Sequence, residues 1–167
     1  MDNDTTGCYD RIIISLGMLA CCRLGMPSNA IKCQAETLCH LRYAVKHANG
    51  ISPLEYFSTL LEPLFGTGQG SGASPAIWLC LVVILLDTLD RLSTERNIPG
   101  LAFVDLWSEI FEQGRVGAFV DDTNQGVMDS TGKLSVEELV DVLRQAGQLW
   151  ENLLFISGGT LNLSKCS

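Results

Sequence analysis

Apolar residues recur along the chain with two different periods, and each change of period marks an element. After Tyr9-Asp10-Arg11, Ile13, Leu16, Leu19 and Ala20 fall at helical spacing, and Gly25 followed by Pro27 stops that helix. A second helix is expected from Pro27-Ser28 to about Cys39. Residues 41–47 then alternate loosely up to Asn49-Gly50, a strong short hairpin signal, so strands are expected near 41–47 and 52–58. The segment 75–92 is apolar nearly all round, with Ser74 as an N-cap and Pro75 at the first helical position, and should be a buried helix. A polar loop over 93–100 leads to a short strand at 101–104, and 115–128 has the pattern of a β-hairpin. Ser135-Val136-Glu137-Glu138 is a capping box that opens a helix to about Ile156, with Leu139, Val142, Leu143, Ala146, Leu149 and Leu153 on one face. Gly158-Gly159 ends it, and 159–165 should form a turn and short strand presenting Lys165.

Composition narrows the class. A chain of 167 residues with 47% hydrophobic and 18% charged residues is expected to fold as one globular domain with a real core. Its longest apolar run, 76–86, has 11 residues, well short of the ~20 that span a bilayer, so no membrane partner is expected. Met1-Asp2-Asn3-Asp4 lacks the basic and apolar regions of a signal peptide. The seven cysteines show no C-x-x-C spacing and lie mostly in apolar helical patterns, where free Cys behaves as a small hydrophobe; a reduced, intracellular protein follows. Cys33, Cys39, His40 and His47 form a zinc set only with irregular spacing, which argues against it.

Candidate chemistry is concentrated in three places. In 115–128, the apolar run Val116, Ala118, Phe119, Val120 leads into Asp121-Asp122. Adjacent carboxylates repel unless a cation lies between them, and oxygen ligands without His or Cys suit Mg²⁺ or a similar hard ion. Asp is also an ordinary turn residue, and the pair read alone fits a plain hairpin tip better; the rest of the chain reverses that. The stretch 66–75, Gly-Thr-Gly-Gln-Gly-Ser-Gly-Ala-Ser-Pro, is a glycine-rich loop feeding a helix, which lets backbone approach a ligand or simply connects two elements. It lacks the Gly-Lys-Ser/Thr of a P-loop. Asp4, with Tyr9 five positions on, places a carboxylate at an expected strand end before a helix. Asp4 and Asp121 on neighbouring strand ends could bridge two metal ions ~3.5–4 Å apart, the arrangement that clamps attacking and leaving oxygens in phosphoryl transfer.

In this order the parts resemble a family. Asp4-Thr-Thr-Gly-Cys-Tyr9-Asp10 looks like motif A of reverse transcriptases, and Gly68-Gln69-Gly70 with Ser74-Pro75 looks like motif B. Phe119-Val-Asp-Asp122 is similar to the catalytic motif C, and Gly159-x-x-Leu-Asn-x-x-Lys165 to motif D of retroelement enzymes. The resemblance spans nearly the whole chain and implies an α+β right-hand polymerase palm over 1–167, a small antiparallel sheet with helices packed on one face. It further implies an RNA-directed DNA polymerase, with Asp4, Asp121 and Asp122 as ligands of Mg²⁺ or Mn²⁺. Tyr9 would exclude a 2′-hydroxyl, Gly68, Gln69 and Gly70 would contact template base or incoming dNTP, and Lys165 would protonate the leaving pyrophosphate. The net charge of −8 opposes nucleic-acid binding, so basic regions that hold RNA or DNA template-primer are expected outside this chain, which reads as truncated at both ends. The family's fingers and thumb are not found in it. An RNA-dependent RNA polymerase palm shares the fold but would want a small or acidic residue at Tyr9. A non-catalytic acidic interaction remnant is the alternative from another class.

Overall fold

The structure is a computed structural model. It describes every residue except 1, 5–7, 60, 69–70, 105–110, 115, 120–121, 130, 163, 165 and 167, and the side chains of all described residues but 2–4, 102–104, 111–113 and 119. The fold is α+β. Its elements run β1 (Asp2–Asp4), α1 (Cys8–Arg11), α2 (Ile14–Arg23), α3 (Ser28–Cys39), β2 (Arg42–His47), β3 (Gly50–Phe57), α4 (Ser74–Glu95), β4 (Leu101–Val104), β5 (Phe111–Gly114), β6 (Val116–Phe119), β7 (Asp122–Gln125) and α5 (Val136–Ile156). The strands form three small antiparallel groups: β1-β7-β6, β2-β3 and β4-β5. Residue contacts divide the chain into two units, one of Met1–Cys8 with Val82–Ser167 and one of Tyr9–Leu81.

In the first unit, β7 is the middle strand of β1-β7-β6, and its side chains alternate in the manner of a sheet with one covered face. Thr123 and Gln125 are buried while Asp122 and Asn124 are exposed. The covered face meets α5: the Gln125 side-chain amide donates to the Ala146 carbonyl at 3.4 Å. Helix α5 buries Ala146, Gly147, Leu149, Trp150, Leu153 and Leu154. Leu139, Val142 and Leu143, expected on the same face, are only half-buried, so the covered stripe lies in the helix's C-terminal half.

Helix ends follow local chemistry. Ser135 Oγ accepts from the Glu138 amide (3.2 Å) and the Glu138 carboxylate accepts from the Ser135 amide (2.7 Å), the reciprocal pair expected of a capping box. At the other ends, α2, α4 and α5 each close with the paired backward bonds of a Schellman motif. In α4 the left-handed residue is Asn97 (φ 56°), whose neighbour Ile98 donates to the Ser93 carbonyl at 2.8 Å. That helix therefore runs three residues past the expected 92 before the loop begins.

Three expectations are corrected. Helix α4 is not buried all round: Ile77, Trp78, Leu81, Val82, Leu85 and Leu89 are covered, but Leu79 and Val83 face solvent. Its apolar content exceeds the surface available to bury it. Nor do the cysteines all behave as core hydrophobes. All seven are free, and Cys8 and Cys21 are buried, but Cys22, Cys33 and Cys39 are exposed. The Cys21 thiol is pushed up to about 11 by burial and by its hydrogen bond to Cys80, so it stays protonated at neutral pH. The expected strand at 159–165 reduces to a single bridge at Leu161, and Lys165 lies outside the described residues. No helix among the described residues is long and apolar enough to cross a membrane.

Asp129 organises the turn between β7 and α5. One carboxylate oxygen accepts from the Thr131 amide (2.8 Å) and hydroxyl (2.6 Å), and the other from the Leu134 amide (2.7 Å). These donors, the Leu134 amide foremost, hold its pKa down to about 2. A depressed folded-state pKa stabilises the turn above the ordinary value of 3.8, and this is lost as pH falls through 2. A carbon-detected NMR titration should place the Asp129 midpoint near 2, with the Leu134 amide shift moving on the same curve. A midpoint near 3.8, or a Leu134 amide that does not respond, would contradict this account.

Candidate functional site

Each candidate residue is positioned by its own unit. In the first, the ladder pairs Asp2 with Asn124, Asn3 with Thr123 and Asp4 with Asp122, while Phe119 pairs with Asp122 from the other side. The chain's fourth residue and the motif beginning at Phe119 thus meet at one rung, where backbones of paired antiparallel residues stand about 5 Å apart. Asp122 is exposed, on the sheet face opposite the one that carries Thr123 and Gln125. Two residues, Val120 and Asp121, stand between β6 and β7; Asp121 lies outside the described residues, as do Gln69, Gly70 and Lys165. Immediately past β7, Gly126 leaves room for Leu101; a Cβ there would fall 2.8 Å from the Leu101 Cγ.

Tyr9 and Gly68 belong to the second unit, where the glycine-rich loop is bound to the start of α1 through backbone. The Thr67 amide donates to the Tyr9 carbonyl at 2.8 Å, and the Thr67 hydroxyl reaches the same oxygen at 3.4 Å. The Gly66 amide donates to the Ile12 carbonyl at 2.8 Å. Ile12 and Ile13 interrupt the helical run, so the expected single helix is split into α1 and α2. The break leaves carbonyls of the first turn available to the loop, which explains it physically.

Ser74 completes this arrangement in an unexpected role. It is the first residue of α4, and its hydroxyl is shared between the Thr67 (2.9 Å) and Gly68 (2.8 Å) carbonyls. Both Thr67 and Ser74 are fully buried, so these bonds satisfy polar groups that have left water. The loop is therefore built, not a loose connection, at least over 66–68. Gly66 (φ +93°) and Gly68 (φ +79°) are both left-handed. A Cβ on Gly66 would fall 2.7 Å from the Asp10 Cα and carbonyl oxygen, so only glycine lets the loop lie this close. Among the described residues, a Cβ on Gly68 would meet the Tyr43 hydroxyl, at 3.6 Å. Thr67 was not expected to matter, although a small hydroxyl residue between two glycines is a signal of this kind of anchoring.

The same unit carries an apolar groove of about 650 Å³, lined among others by Ile13, Met18, Leu19, Cys22, Ile31 and Phe65. Of the described candidates, Tyr9, Gly68 and Asp122 do not line it. Among the described residues no three His, Cys, Asp or Glu side chains gather to hold a metal ion, and this includes Cys33, Cys39, His40 and His47. No protein-family model and no curated protein matches this chain.

Gly66→Ala should destabilise the Tyr9–Leu81 unit by more than ~2 kcal/mol, since it adds left-handed strain to a collision with backbone. Urea unfolding of the parent and the variant, followed by amide NMR signals of residues within 9–81, would measure it. A loss under ~0.5 kcal/mol, the range of an ordinary surface substitution, would show that the loop does not sit against Asp10.

Proposed function

We propose that this chain is a palm segment of an RNA-directed DNA polymerase, acting by nucleotidyl transfer with two divalent metal ions. The observation that supports it best is the β1–β7 register, which pairs Asp4 with Asp122 and so joins residues 118 positions apart at one end of a small antiparallel sheet. A reverse transcriptase palm requires its first and third motifs on adjacent strands. The Thr67–Tyr9 bond is a second support, because it fastens the start of the second motif to the tyrosine of the first.

In this reading Asp4 and Asp121 hold Mg²⁺ or Mn²⁺, with Asp122 as an auxiliary carboxylate. The metals would lower the pKa of the primer's 3′-hydroxyl and neutralise charge on the triphosphate. Tyr9 would present bulk against a ribose 2′-hydroxyl, Gly68 with Gln69 and Gly70 would contact the template base or the incoming dNTP, and Lys165 would give a proton to the departing pyrophosphate. The protein itself does little covalent chemistry, so rate depends on positioning and charge. With a net charge of −8, template-primer must be held by basic groups from elsewhere.

The test is primer extension on an RNA template with dNTPs and Mg²⁺, using the chain fused to a sequence-nonspecific basic nucleic-acid-binding domain. Incorporation should fall to background in Asp121→Ala, and Tyr9→Ala should raise the share of ribonucleotides about tenfold, equivalent to ~1.4 kcal/mol of lost discrimination. Equal incorporation by the fusion and its Asp121→Ala variant would refute the polymerase reading. An unchanged ribonucleotide share would remove the gating role from Tyr9 alone.

A further inference from the structure

The hairpin β2–β3 is exposed along nearly its whole length, on both faces. Its register makes Tyr43 and Tyr56 direct cross-strand partners, so the two rings share a face. Tyr43 is 40% exposed and Tyr56 60%. Neither tyrosine hydroxyl has a hydrogen-bond partner among the described residues. This face also abuts the glycine-rich loop, because the Tyr43 hydroxyl is what a Cβ on Gly68 would meet.

We propose that the Tyr43–Tyr56 face is a stacking platform for unpaired bases of a single-stranded nucleic acid. The choice of ligand rests on the polymerase reading, and the platform itself rests on the hairpin. Two adjacent phenol rings on a paired ladder offer flat π surface at little entropic cost, since each ring has only two side-chain torsions to fix. Every base has a π-face, so such a surface binds without sequence preference, and a duplex, whose bases are already stacked, gains nothing from it.

Charge places a polyanion here in preference to the rest of the chain. The Tyr9–Leu81 unit holds five Lys and Arg against four Asp and Glu, whereas the other unit holds six against fifteen. On β2, Arg42 lies on the strand face opposite Tyr43 and pairs across the ladder with Phe57, so the positive balance near the rings comes from the unit as a whole. Arg42 is pinned by Glu55 (3.1 Å) and lies over the Phe57 ring (5.2 Å), while Lys46 has no ion pair among the described residues. Stacking therefore carries the interaction and phosphate contacts add a minor share.

The experiment is fluorescence anisotropy of the intact chain with a labelled oligo-dT or oligo-rU single strand, run beside the same strand in a duplex. Because both rings are exposed, substitution leaves the fold intact, which circular dichroism checks. Removing the rings in Tyr43→Leu with Tyr56→Leu should weaken single-strand binding about a hundredfold, roughly tenfold per ring. Tyr43→Phe with Tyr56→Phe should bind as the parent does. The logarithm of the binding constant should fall with log salt at a slope no steeper than about −1.4, the value for two phosphate contacts on a single strand. Binding that is equal in the Leu variant, tighter to duplex, or undetectable in the parent chain would overturn the proposal. If the Leu variant loses binding while Asp121→Asn keeps it, and the extension assay still fails, the platform stands and the polymerase reading falls.

Discussion

Burial of Thr123 and Gln125, on the face of β7 that meets α5 through Gln125, is the constraint that orients the middle strand of β1-β7-β6. Side chains alternate with a period of two, so a slip of one residue would turn Thr123 and Gln125 to solvent and drive Asp122 and Asn124 into the helix. Burying an unpaired carboxylate costs several kcal/mol, which makes the slipped register untenable. The helix thus selects the face of β7 that is covered, and along the exposed face of that strand the ladder sets Asp4 opposite Asp122. A packing contact made by uncharged side chains on one face decides where carboxylate-bearing residues stand along the strands.

The second unit solves a similar problem with backbone bonds. Interrupting the helix at Ile12 and Ile13 exposes carbonyls that Thr67 and Gly66 then satisfy, and the Ser74 hydroxyl ties the loop's own carbonyls to the start of α4. Gly66 is what permits this approach, given how little space separates it from Asp10. Glycine-rich sequence is commonly taken as a sign of flexibility. Here, over 66–68, it is a requirement of close contact.

Much of this was legible in the sequence because the signals were local. Asn49-Gly50 between alternating segments, the Ser135/Glu138 box and the apolar-to-acidic run ending at Asp122 each specify their own conformation within a few residues. The antiparallel pairing of β1 with β7 was also foreseeable, from the logic of two separated carboxylate motifs. What could not be read were the effects of tertiary partners. Nothing local distinguishes the covered stripe of α4 from Leu79 and Val83, because all are apolar. The break at Ile12–Ile13 is likewise invisible in helical periodicity, since it is stabilised by a loop more than fifty residues away. Asp129 looked like any polar loop residue, and its role depends on two amides and a hydroxyl that converge only in the folded turn.

The proposed divalent-cation site draws on the strand that carries Asp4 and on the neighbouring Asp121 and Asp122. Isothermal titration calorimetry of the chain with Mn²⁺ in the presence of a dNTP tests it most directly, because the triphosphate supplies ligands the protein lacks. The account predicts a saturable signal that Asp4→Asn and Asp121→Asn each abolish and Asp129→Asn leaves unchanged, since Asp129 is committed to its own turn. Titrations of Asp4→Asn and Asp121→Asn that match the parent chain, or a signal that disappears only with Asp129→Asn, would contradict it.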